Sequence, residues 1–158
     1  MQNYDHILVV DADGHVQDGD IDLRPWLPEK WRSQAPVRVK DNQGHTRTLL
    51  EGRIWAASQG RGPGVTGPMT EKARKSRPGM TDAVERLKDM DLEGIDVSVL
   101  FGTAIALTVN GLRTKELAGP FCYAVIGWLL AYCSADSRRL RPVGLIPCQD
   151  PPAAVKEL

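Results

Sequence analysis

Apolar residues in this chain fall into short continuous runs separated by amphipathic stretches. Ile7 to Val10 is such a run and predicts a short buried strand. Val97 to Phe101 and Val143 to Ile146 read as a second and third buried strand. Between the first two, Val84, Leu87 and Met90 recur at helical spacing. Thr81 is placed as the N-cap of that helix, with Asp82 and Glu85 in its positively polarised first turn. Gly94 stands where the helix needs a left-handed stop, and Ile95 covers the end. Phe121, Val125, Trp128, Leu129 and Tyr132 form the stripe of a second helix. Pro120 is assigned to its first turn, because proline breaks a helix interior. Asp150-Pro151-Pro152 predicts an N-cap followed by first-turn proline, the start of a third helix.

The long excursion after the first strand has its own pattern. Pro25, Pro28 and Pro36 punctuate a segment with Trp26, Leu27 and Trp31, which predicts a short helical turn on the core. Val37 to Val39 and Thr46 to Leu50 alternate on either side of Asp41-Asn42-Gln43-Gly44, the pattern of a β-hairpin. Gly60 to Gly67 predicts a mobile loop or linker, and the basic run Glu71 to Arg77 a solvated face. Strands alternating with helices predict an α/β fold with parallel pairing and right-handed crossovers.

Composition narrows the class. A chain of 158 residues supports one domain with a real core. The apolar share of 42% and charged share of 25% are those of a globular protein. Twenty basic residues balance twenty acidic ones, so the charge argues for no nucleic-acid partner. No basic segment followed by a long apolar run opens the chain, and Ala124 to Leu130 is too short to span a bilayer, so no membrane association is expected. Cys122, Cys133 and Cys148 form no zinc pattern. Their odd count points to a reducing, cytoplasmic setting. Cys122 and Cys133, about three helical turns apart, read as small buried hydrophobes on one face.

The chemistry-bearing stretch is Asp11-Ala12-Asp13-Gly14-His15. Residues i and i+2 of an extended chain point to one side, so Asp13 and His15 can converge on a cation where the strand leaves its sheet. The same residue types also make ordinary turns in which Asp accepts backbone N–H bonds. Asp11 is placed on the other face, in a structural role. Asp18-x-Asp20-x-Asp22 with Glu29 imitates a calcium loop, but Leu23 occupies the glycine position and prolines interrupt it. His6 reads as surface, and His45 as a hairpin-tip residue. Thr103 reads as a mouth or capping residue, and Asp150 as a cap. No phosphate loop and no Gly-x-Ser-x-Gly elbow occurs.

The order of these pieces resembles the amidohydrolase-related family, in the branch near aminocarboxymuconate-semialdehyde decarboxylase. The resemblance rests on Val9-Val10-Asp11-Ala12-Asp13-Gly14-His15-Val16, on Trp26-Leu27-Pro28-Glu29-Lys30-Trp31, and on Arg86 to Val97 with its Asp89-Met90-Asp91 and Gly94-Ile95-Asp96-Val97. It continues through Trp128-Leu129 to Arg139-Leu140-Arg141-Pro142-Val143-Gly144-Leu145-Ile146-Pro147. Ile126-Gly127 departs from the pattern, because relatives often carry a polar pair there. The resemblance implies a (β/α)₈ barrel with a divalent metal, usually zinc, at the C-terminal mouth. Asp13 and His15 would be the ligand pair of the first strand, with Asp13 where many relatives have histidine.

A complete barrel needs roughly 250 residues, so residues 1–158 correspond to a partial domain. That domain would be an incomplete TIM-type barrel of three βα units with an inserted β-hairpin. The family's later histidine and aspartate ligands have no position in this chain. The implied function is the N-terminal part of a metal-dependent hydrolase, in which metal-activated water attacks an amide- or lactone-like bond of a small organic substrate. The alternatives are non-oxidative decarboxylation of an organic acid, or an inactive remnant or interaction module. Unpaired strand edges further predict self-association or a complementing C-terminal part.

Overall fold

The computed structural model describes residues 7–44, 46–55 and 78–157. His6, His45, the glycine-rich run 60–67 and the basic run 71–77 lie outside the described residues. In chain order the elements are β1 (Val10–Val16), β2 (Val37–Lys40), β3 (Thr46–Leu50), β4 (Arg53–Ile54), α1 (Ala83–Glu93), β5 (Val97–Gly102), α2 (Lys115–Cys133), β6 (Leu140–Pro142) and α3 (Pro151–Glu157). Short 3₁₀ turns occupy Glu29–Gln34, Pro78–Met80 and Ala106–Gly111. The fold is mixed α/β. One sheet has the order β1-β5-β6 with both pairs parallel, and a second, antiparallel sheet has the order β2-β3-β4.

The hairpin lies where alternation placed it, pairing Val37 with Leu49 and Lys40 with Thr46. A third strand joins it through Glu51-Gly52, where both φ angles are positive, 51° and 71°, as a two-residue type I′ turn requires. Two of the main strands are displaced from their predicted runs. β1 begins where the run Ile7 to Val10 ends, and Ile7 and Leu8 are 62% and 65% exposed. The ladder to β5 starts at Val10↔Val97, preceded only by the ties of Val9 to Asp96 and Val97. Likewise β6 is Leu140–Pro142 rather than Val143 to Ile146, and the Val143 N–H makes a final 3.0 Å bond to the Leu100 carbonyl. Register against β5, not apolarity, sets both strands.

Helix ends show what local signals read correctly and what they missed. The N-cap of α1 is Asp82 and not Thr81. The Asp82 Oδ1 accepts from the N–H groups of Val84 (2.8 Å) and Glu85 (3.1 Å), whereas the Thr81 hydroxyl turns back to the Pro78 carbonyl. Gly94 ends α1 in the left-handed conformation, φ 71°, and the Ile95 N–H returns to the Met90 carbonyl. Pro120 lies inside α2 and not in its first turn. The helix starts earlier because the Glu51 carboxylate accepts from the N–H groups of Arg113 and Thr114, both at 2.8 Å. The third helix opens as expected, with the Asp150 carboxylate accepting from Ala153.

The core has two parts, and α2 serves both. Its first half packs with Leu23, Leu27, Leu50, Ile105 and Val109 beneath the excursion. Its second half, through Leu129 and Cys133, packs with Val16, Met90, Leu100 and Leu140 against the parallel sheet. This double burial explains why α2 is apolar nearly all round. By length and composition it could cross a membrane, which the run 124–130 did not indicate, yet half of it is buried inside the fold. Cys122 and Cys133 are both buried, as read, and burial pushes the Cys133 thiol up to about 11. Gly127 lets the Trp26 ring lie on the helix: a Cβ there would come within 2.9 Å of it.

Candidate metal centre

Asp13 and His15 sit in the C-terminal half of β1, the strand-end position at which open α/β folds and barrels place their chemistry. Gly14 and Val16 turn inward. A Cβ on Gly14 would lie 2.3 Å from Ser98 Oγ, and Val16 is fully buried in the helix-facing core. His15 therefore takes the opposite face. It pairs in register with Phe101 of β5, their rings 6.0 Å apart and tilted by 41°. His15 Nε2 lies 3.4 Å from Asp13 Oδ1, with the two side chains 47% and 90% exposed. The imidazole is thus steadied on one side by a ring, and its ring nitrogen meets a carboxylate on the other.

A regular strand would put residues 11, 13 and 15 on one face. An irregularity in the β1–β5 register between Asp11 and Gly14 removes Asp11 from that set. Its Oδ2 accepts from the buried Ser98 hydroxyl at 2.8 Å, and its Oδ1 accepts from the Asp13 N–H at 3.1 Å. Asp11 is thus structural, through a bulge rather than through alternation.

The next acidic residue, read in the sequence only as a member of the calcium-like pattern, has a different role. Asp18 is fully buried and accepts from the N–H groups of Thr103, Ala104 and Ala106. The Thr103 hydroxyl donates to the Val16 carbonyl at 2.9 Å. Asp18 thereby ties the segment leaving β1 to the segment leaving β5. The surrounding chemistry gave no signal, because the donors are main-chain groups some 85 residues away in sequence. The remaining members of the calcium-like pattern are dispersed as well: Asp22 binds Arg24, and that guanidinium holds its carboxyl below the usual range.

Beside the pair lies an open cleft of about 520 Å³, lined by Asp11, Asp13, His15, Arg86, Asp89 and Glu93. Arg86 reaches across from α1 and donates to the His15 main-chain carbonyl. A tetrahedral ion with zinc-like bond lengths holds its nitrogen and oxygen ligands about 3.4 Å apart, and His15 Nε2 and Asp13 Oδ1 are separated by 3.4 Å. The separation of the two donors equals that spacing. Among the described residues no group of three or more His, Cys, Asp or Glu could hold a metal ion.

No protein-family model matches the chain, and no curated protein matches it. Among solved structures, it is similar to the crystal structure of an amidohydrolase from Mycobacterium avium subsp. paratuberculosis K-10, with a TM-score of 0.72 and 16% identity. The match covers 96% of this chain and 46% of that one, so the chain spans about half the length of that enzyme. The likeness does not single out the decarboxylase-like branch. What it establishes is architecture: nearly all of this chain follows the fold of one part of an amidohydrolase.

Proposed function

We propose that the chain is the first part of a metal-dependent hydrolase of the amidohydrolase superfamily. In this reading β1, β5 and β6 are the first three strands of a (β/α)₈ barrel, and β2-β3-β4 is an insertion after the first. Asp13 and His15 hold a divalent ion, most simply zinc, and a further donor comes from outside the described residues. The bound metal supplies Lewis acidity and an acidified water. The chain's own residues do the placing. His15 offers Nε2 from the open face of the sheet, with Phe101 limiting its rotation. Asp13 offers Oδ1 beside it, while its own N–H is fixed by Asp11. The substrate class is a small organic molecule with an amide- or lactone-like bond. The observation that carries the reading is the 3.4 Å approach of Nε2 and Oδ1 at the C-terminal end of a parallel strand.

Calorimetric titration of the chain with Zn²⁺ tests it. One equivalent binds, and D13A and H15A each weaken that binding at least about tenfold. Equal affinity in wild type and H15A would refute the assignment.

A further inference from the structure

The outer edge of β1 is not bare at His15. Main-chain carbonyls of a strand point alternately to its two edges. The Val16 carbonyl accepts from Thr103 on the β5 side, so the His15 carbonyl faces outward. Arg86 Nη2 meets it there. Two residues on, the Gln17 N–H donates to the Met80 carbonyl at 2.7 Å. These two contacts set α1 and the turn before it against the C-terminal end of the outer edge of β1.

Arg86 is itself held in place. Its backbone packs against Gly79, where a Cβ would come within 2.8 Å of the Arg86 Cα. The Tyr132 hydroxyl, reaching from α2, donates to the Gly79 carbonyl at 2.6 Å. Arg86 Nε is buried and has no hydrogen-bond partner among the described residues. The guanidinium also interacts with the Tyr132 hydroxyl, so it is held between α2 and the His15 carbonyl. We propose that Arg86 is a positioning residue. By clamping the His15 main chain from the outer edge, it aims Nε2 at the ion shared with Asp13. The inference rests on the metal reading above and assigns Arg86 no contact with substrate.

The test uses the full chain with R86Q, R86K and, should R86Q fail to fold, R86M, which keeps the apolar stem. Zn²⁺ affinity is read by calorimetry, Tm by circular dichroism, and the His15 ring by NMR contacts to Phe101. R86Q is expected to weaken Zn²⁺ binding about tenfold to a hundredfold, the range for residues that orient a ligand. Its Tm stays within a few degrees, and R86K, which keeps a donor, recovers most of the affinity. Unchanged affinity in R86Q, beside a loss in H15A, overturns the role of Arg86 and leaves the metal reading standing. If the wild type shows no His15-dependent Zn²⁺ binding, the metal reading fails. Persistence of the His15–Phe101 contacts in R86Q refutes positioning of His15 by Arg86 whether or not Zn²⁺ binds.

Discussion

At the scale of single residues, the site depends on a glycine that carries no chemistry. Gly14 separates the two proposed donors and lies against Ser98, Asp11 and Leu100. A Cβ there would sit 2.3 Å from Ser98 Oγ, 2.7 Å from Asp11 Oδ2 and 2.9 Å from Leu100 Cδ2. None of these can retreat freely, because Ser98 and Leu100 are fully buried and Asp11 is bonded to Ser98. Gly14→Ala is therefore expected to destabilise the fold by about 1–3 kcal/mol, read as a lower urea midpoint. It should also part Asp11 from Ser98. An unchanged midpoint would mean that β1 shifts outward without resistance.

At the scale of elements, the two residues at the start of α1 make a clean comparison. Asp82 carries the cap, and Thr81 bonds to a carbonyl outside the helix. Asp82→Ala is expected to cost about 1 kcal/mol, and Thr81→Ala to stay within about 0.5 kcal/mol, both by chemical denaturation. The reverse ranking would restore Thr81 as the cap. Element type was legible for β5, both long helices, the hairpin and the stop at Gly94, whereas β1 and β6 form beside their predicted runs and β4 was not foreseen. Boundaries were not legible. The start of α2 is set by Glu51, which lies more than 60 residues earlier in the chain and acts from a different sheet. The apolar run Ile7 to Val10 is mostly exposed because β5 offers it no register beyond Val10.

At the scale of the whole molecule, Glu51 joins the antiparallel sheet to α2, and through α2 to both halves of the core. Its side chain is nine-tenths covered and accepts from Arg113, Thr114 and Arg53. Burial alone would raise its pKa, but the bonds from Thr114, Arg113 and Arg53 outweigh it and hold the carboxyl below the ordinary glutamate value. A carboxylate whose folded pKa is depressed stabilises the fold above its unfolded pKa, and that stability is lost as pH falls through the folded value. Stability should therefore drop from about pH 4.3 downward. E51Q should be less stable than wild type at pH 7 and show a flatter acid limb in denaturant midpoints taken across pH 3–7. Parallel acid limbs would show that the junction does not depend on charge. The exposed Ile7, Leu8, Val9 and Val10 lead into β1. We expect this face to drive concentration-dependent association in sedimentation experiments, and a monomer at all concentrations would contradict that.

The sequence by itself determined the alternation of strands and helices, the hairpin, the parallel logic of the main sheet, and the pairing of Asp13 with His15, because period and i, i+2 geometry are local properties. Tertiary structure alone decided that Asp11 leaves that pair at a bulge, that Asp18 is buried among distant N–H groups, that Arg86 grips the His15 carbonyl, and where α2 begins. Each of these depends on strand register or on main-chain donors and acceptors brought close by packing. Such groups are the same at nearly every residue, so a sequence carries no mark of which ones will meet.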